Sequence, residues 1–211
     1  MIITIAHQKG GVGKSTITFN LAYYLSKYKP LLVDLDIQNT ISHVNRIREK
    51  YALKFNIVTI TSDDTLKNII KTSDSKNLIL IDTGGFDSSL TRMSITASDL
   101  VLVPLKNKTY ELLGLLKFEG ILEELSKIKK SIIKAKIILT RVNPSVKDFS
   151  NIKPFIEASP YIELMESIIR ARAEIEDAQS KGLTVGEYAN GSKGDLEFKK
   201  LATEINRIIY K

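Results

Sequence analysis

Apolar residues gather in short, β-branched-rich runs at Ile2 to Ala6, Leu31 to Leu35, Asn56 to Ile60, Leu78 to Asp82, Leu100 to Pro104 and Lys136 to Thr140. Several are continuously apolar, the pattern of parallel strands covered on both faces, whereas a half-exposed strand alternates. Between most of them lie stretches with helical spacing, such as Ile17, Leu21 and Leu25, and later Leu112, Leu115, Leu116, Phe118 and Leu122. The alternation predicts repeated strand–helix–strand units and an α/β fold: a three-layer α/β/α sandwich around a mostly parallel, twisted sheet. The last third reads as more helical and more charged. There Gly182, Gly186, Gly191 and Gly194 punctuate a loop-rich stretch before a final helix, Leu196 to Ile209, whose Leu201, Ile205, Ile208 and Ile209 share one face. No repeat, low-complexity tract or Pro/Gly-rich linker divides residues 1–211, which read as a single domain.

Composition narrows the chemistry. A formal charge of +7 favours polyanions such as nucleic acid or an acidic membrane face. The absence of cysteine excludes disulfides, thiolate metal sites, iron–sulfur clusters and a cysteine nucleophile, and predicts an intracellular, cytoplasmic protein. The apolar start, Met1 to Ala6, runs into His7, Gln8 and Lys9, far short of the roughly 18 apolar residues that a membrane span needs. It has neither a basic n-region nor a small-residue cleavage site, so no signal peptide and no stable membrane insertion are expected.

The strongest motif follows the first strand: Lys9-Gly10-Gly11-Val12-Gly13-Lys14-Ser15-Thr16, with a helical pattern directly after it. Glycines at that place let successive backbone N–H groups point at phosphate oxygens, and the helix N-terminus adds partial positive charge. Lys14 would reach the β and γ phosphates of ATP, and the Ser15 hydroxyl would take a place on Mg²⁺. The strict phosphate-loop pattern asks for glycine where Gln8 stands, so this is the deviant form, marked by its additional Lys9. Lys9 sits at the mouth of the loop and cannot easily serve the phosphate that Lys14 serves. If two subunits meet face to face over two nucleotides, each Lys9 would cross to the other's triphosphate; otherwise it is one more solvated lysine. Acids close two of the strands, at Asp34-Leu35-Asp36 and at Asp82-Thr83-Gly84-Gly85. Ligands of open parallel sheets bind at the carboxyl ends of strands, so these acids converge on the loop. Asp36 is placed to orient or partly deprotonate the attacking water, and Asp34 to fix the loop by hydrogen bonding. Asp82 is placed to hold metal-bound water and the Ser15 hydroxyl. Ser15, Asp36 and Asp82 are the candidate metal shell, and Gly84-Gly85 is a candidate γ-phosphate switch.

Together these residues resemble the ParA-type partition ATPases within the MinD/ParA group of deviant-loop NTPases. The resemblance rests on Lys9 to Thr16, on Asp34-Leu35-Asp36-Ile37-Gln38 and on Ile81-Asp82-Thr83. It extends through Ser98 to Pro104, Ala178 to Gly186 and Leu201 to Ile205, and so covers essentially the whole chain. It is nearest to the short subgroup typified by ParF, which has no N-terminal helix-turn-helix domain. The resemblance implies ATP with Mg²⁺, a nucleotide-sandwich homodimer formed on ATP binding, and non-specific binding of double-stranded DNA. It also implies hydrolysis stimulated by a small centromere-binding (ParB/ParG-like) protein, on the nucleoid of a bacterial or archaeal cell. Carried over position by position, it assigns Lys9 to the cross-dimer phosphate contact and Gly10, Gly11, Val12, Gly13, Lys14, Ser15 and Thr16 to the cradle. Asp36 goes to hydrolysis and Asp82 to the metal shell. Ile37 replaces the family's proline, and Gly84-Gly85 replaces a frequent proline-containing turn.

DNA contact without base reading needs only cations aimed at phosphates. The candidates are Lys193, Lys199, Lys200, Arg207 and Lys211, joined by Arg170 and Arg172, which lie alternatively near the dimer seam. Arg141 and Asn143, just past a strand end, are candidates for the adenine. Missing cysteines exclude nitrogenase iron proteins and iron–sulfur carrier ATPases, and the tail holds only Tyr210 of the tyrosine cluster expected in a kinase of this fold. The alternatives left open are a MinD-like membrane-cycling ATPase using the final helix, a metabolic ligase resembling dethiobiotin synthetase, and a nucleotide-binding scaffold without hydrolysis.

Overall fold

The computed structural model describes residues 1–73, 77–108 and 110–209. Its strands are β1 (Ile2–Ile5), β2 (Leu31–Asp34), β3 (Asn56–Thr59), β4 (Ile79–Asp82), β5 (Leu100–Lys106), β6 (Ala135–Val142) and β7 (Ile162–Arg170). They form one seven-stranded sheet in the order β3-β2-β4-β1-β5-β6-β7, and every pairing is parallel. The helices are α1 (Lys14–Tyr24), α2 (Thr40–Arg48), α3 (Asp63–Thr72), α4 (Ser89–Ala97), α5 (Glu111–Lys129), α6 (Lys153–Glu157), α7 (Ala173–Ser180), α8 (Val185–Tyr188) and α9 (Lys193–Ile209).

Successive residues of a strand point to opposite faces, and here each face is covered. Leu100 and Leu102 pack with Ile3, Ile5, Leu32 and Leu80 beneath Phe19 and Leu21 of α1 and Phe198, Leu201 and Ile205 of α9. Their neighbours Val101 and Val103 pack on the other side against Leu115, Phe118 and Leu122 of α5. Val33, Ile79 and Ile81 face Leu66 of α3, with Leu90 and Met93 of α4 alongside. The result is the three-layer α/β/α sandwich that the apolar runs predict.

The last third departs from the sequence reading. β7 is a strand that the sequence reading did not place, and Gly186 and Gly194 lie inside α8 and α9 rather than in loops. The final helix begins at Lys193, ahead of the expected Leu196, and its apolar face is buried in the chain's own core. No helix among the described residues is long and apolar enough to cross a membrane. β1 sits between β4 and β5, where the strand order reverses, so the loop leaving its carboxyl end opens into the crevice of the sheet.

Candidate functional site

The chain turns from β1 into α1 through a loop in which Gly11 (φ 70°) and Gly13 (φ 101°) take the left-handed conformation that side chains resist. Gly13 is the N-cap of α1, and the first turn carries neither a capping side chain nor an acid. The helix therefore keeps its leading amide groups and partial positive charge for something outside the chain. Two neighbours hold the loop. The Thr140 hydroxyl, on β6, donates to the Val12 carbonyl at 2.7 Å. Opposite, Gly85 lies so close that a Cβ there would stand 3.2 Å from the Gly10 nitrogen, and a larger residue would have to press the loop aside by a few tenths of an ångström.

The loop forms one wall of an open cavity of about 710 Å³. Gly10, Gly11, Gly13, Lys14, Ser15 and Thr16 line that wall; Asp36, Ile37, Gln38 and Thr40 come from the end of β2, and Gly85 and Phe86 from the end of β4. Arg141 and Gln179 complete the lining, and Gln179 accepts a 2.8 Å hydrogen bond from the Thr16 hydroxyl.

Charges are concentrated beneath the loop. Lys14 is buried, and its ammonium donates to the Lys9 carbonyl at 3.1 Å. Burial lowers its pKa, while Asp82 and Asp36 act to raise it. Asp82 is wholly buried; burial pushes its pKa up to about 7 against the hydrogen bond of the Ser15 hydroxyl, with Asp34 pushing the same way as burial. The Thr18 hydroxyl donates to Asp82 Oδ1 at 3.2 Å, whereas Oδ2 has no hydrogen-bond partner among the described residues. Asp34 accepts from the Ser42 hydroxyl (2.8 Å), the Ser42 amide (3.2 Å) and the Asp36 amide (3.2 Å), which ties the β2 end to α2. Asp36 accepts from the Gln38 amide at 3.0 Å and is half-buried on the cavity wall.

Other candidate residues are placed differently. Val12 is buried behind the loop. Lys9 does not line the cavity: its ammonium pairs with Glu111 at 2.9 Å and stands 4.4 Å from the centre of the Tyr110 ring. Asn143 is also outside the cavity lining, its side chain accepting from the Ser145 amide and hydroxyl in a turn. Of the basic candidates, Arg170 donates to the carbonyls of Asn143, Pro144 and Val146, Arg172 pairs with Glu197 at 2.8 Å, and Lys199 pairs with Asp195 at 2.8 Å. Lys193, Lys200 and Arg207 are exposed on α9 without an ion pair among the described residues. Lys211 and Tyr210 lie outside the described residues. Sequence reasoning missed Thr140, Gln179, Phe86 and Glu111. Gln179 falls inside the Ala178 to Gly186 run, but nothing local marks any of them as facing the loop.

A glycine loop emptying into an uncapped helix at the switch point of a parallel sheet is built for phosphate, and the class so defined is a phosphate-loop nucleotide-binding protein. The CobQ/CobB/MinD/ParA nucleotide binding domain matches residues 3–185, and the chain belongs to that family. It is similar to the chromosome-partitioning ATPase Soj of Thermus thermophilus, 26% identical over 235 residues covering 96% of this chain and 94% of Soj. Among solved structures it resembles a putative plasmid partition protein of Borrelia burgdorferi bound to AMPPNP (TM-score 0.66, 22% identity, 99% and 98% of the two chains). It also resembles the septum site-determining protein MinD of Pyrococcus horikoshii complexed with Mg-ADP (TM-score 0.70, 21% identity, 98% and 96%).

Proposed function

We propose that residues 1–211 act as one ATPase unit that segregates DNA, converting ATP and water to ADP and phosphate while cycling between monomer and homodimer. The observation that carries the reading is the buried Lys14 and the buried Asp82 at the foot of an uncapped helix N-terminus that opens into the cavity, an arrangement a triphosphate completes. Gly10, Gly11, Gly13 and the first amides of α1 cradle the phosphates, with Thr16 beside them. Lys14 neutralises the β and γ oxygens, and Arg141, in the cavity lining, is the contact for the base.

The residues fit Mg²⁺. Asp82 offers a buried carboxylate oxygen without a partner among the described residues, and the Ser15 hydroxyl acts on the same group and lines the cavity. Asp36, on the cavity wall, is the second acid. Such a small set suits a cation that keeps waters and phosphate oxygens as its other ligands. Bound Mg²⁺ supplies charge neutralisation on the β and γ phosphates. Asp36 orients the attacking water and accepts its proton. Gly84 and Gly85, the latter in contact with Gly10, carry the difference between ATP and ADP outward. Lys9 crosses to the nucleotide of a second copy. Of the candidate cations, Lys193, Lys200 and Arg207, exposed and without an ion pair among the described residues, face the DNA, with Lys199, Arg170 and Arg172 at their border.

The apolar face of α9 is occupied by the core, which supports a DNA partner over a membrane one. The name of the relative Soj, a chromosome-partitioning ATPase, supports the same reading. In this reading the protein works in the cytoplasm on the nucleoid, and a small centromere-binding protein stimulates hydrolysis. Binding of a fluorescent ATP analogue and phosphate release test the core of it. Lys14→Ala is expected to abolish binding, and Asp36→Ala to bind but turn over at least about 100-fold more slowly. Wild-type turnover by Asp36→Ala would overturn the catalytic assignment.

A further inference from the structure

Lys9 is tied down by side chains that lie far from it in sequence. Its ammonium pairs with the Glu111 carboxylate at 2.9 Å and caps the face of the Tyr110 ring at 4.4 Å. Glu111 opens α5 and is 1% exposed, while Lys9 is 40% exposed. Lys9 is the one charged partner of Glu111 among the described residues. Its main chain is held as well, the amide donating to His7 Nδ1 at 3.0 Å and the carbonyl accepting from Lys14. The backbone is thus set by the loop, and the direction of the side chain by α5.

An ammonium so held is unavailable to a second copy. To reach another chain's phosphate Lys9 must leave Glu111, and the buried carboxylate then loses its counter-charge, an unfavourable state in a low-dielectric surrounding. We propose that Glu111, with Tyr110, is a positioning residue that locks Lys9 in cis and so sets the ATP concentration at which two copies close. The inference rests on the proposed crossing of Lys9 to a partner's nucleotide. Weakening the lock must make closure easier, a gain that damage to the fold does not produce.

The test titrates the full-length protein with Mg²⁺ and a non-hydrolysable ATP analogue, reading dimer by sedimentation velocity. Glu111→Gln keeps the shape and removes the charge; the midpoint is expected to fall about fivefold, the upper end for an ion pair with one exposed partner. Tyr110 is exposed, so Tyr110→Ala leaves the core alone, and it is expected to lower the midpoint about 3-fold by removing the cation–π contact. Adding Lys9→Ala to either variant should erase the gain. If the wild type dimerises and needs Lys9, yet neither variant shifts the midpoint downward, the lock is overturned and the sandwich stands. If the wild type stays monomeric at saturating nucleotide, or dimerises equally well as Lys9→Ala, the crossing itself is overturned and the lock with it.

Discussion

His7 shows how a single side chain records its surroundings. It is buried directly before the loop, its Nδ1 accepts the Lys9 amide, and its ring lies parallel to Phe118 with centres 6.2 Å apart. Burial, then the charges of Lys14 and Lys9, push its pKa down from 6.5 to about 4. Below pH 6.5 the unfolded chain takes up a proton that the folded chain refuses until about pH 4. The unfolded state therefore binds more protons in that window, and stability falls as the pH falls. A tenfold change in proton affinity is worth about 1.4 kcal/mol, so the full loss is on the order of 3 kcal/mol. Asp82, whose folded pKa is raised to about 7, runs the opposite way and gains stability as the pH falls. The wild-type profile alone blends the two. Urea unfolding of wild type and His7→Gln at pH 7 and pH 4 separates them: the wild type should lose on the order of 3 kcal/mol relative to the variant. A difference independent of pH would mean that His7 carries no such linkage.

At the scale of elements, α5 holds two glycines that answer differently to the same change. Gly120 is exposed, and a Cβ there meets nothing within 4 Å. Gly120→Ala therefore trades backbone freedom for helix propensity and should stabilise by about 1 kcal/mol. Gly114 packs on the loop side, where a Cβ would stand 3.2 Å from Cε1 of the buried His7. Gly114→Ala should show no such gain; equal gains at both positions in denaturant unfolding would contradict the packing. The same helix marks the limit of what the sequence discloses. Strands such as β1, β4 and β5 are legible because residues buried on both faces must be continuously apolar, and the loop is legible because its spacing is local. β7 was not. Its buried apolar positions Ile162, Met165 and Ile169 are spaced by three and four, the period of a helix. The strand accommodates that spacing through register shifts against β6 between Ile137 and Leu139 and between Leu139 and Val142. The contacts of Thr140 with Val12 and of Glu111 with Lys9 are set by how distant strands and helices meet, and no local pattern encodes them.

For the whole molecule, net charge is a weaker guide to binding than the distribution of unneutralised cations. The chain carries +7, yet Arg170, Arg172 and Lys199, all drawn from its basic tail, bond to groups of the same fold. Arg172 and Glu197 are largely buried together, so reversing Arg172 sets two acids against each other and acts on stability before it acts on any ligand. Lys200 and Arg207 stand exposed on α9, with no acid holding them among the described residues. A cation that touches a DNA phosphate releases a counterion, and each such contact adds about one to the slope of log affinity against log salt. On the proposed DNA-binding reading, Lys200→Glu and Arg207→Glu should therefore weaken ATP-dependent binding to arbitrary duplex DNA and each flatten the slope by about 1, with the melting temperature unchanged. Arg172→Glu should lower the melting temperature. Fluorescence anisotropy across a salt series, paired with thermal melts, reads both. A Lys200→Glu/Arg207→Glu protein that keeps the wild-type slope would move the DNA face away from α9.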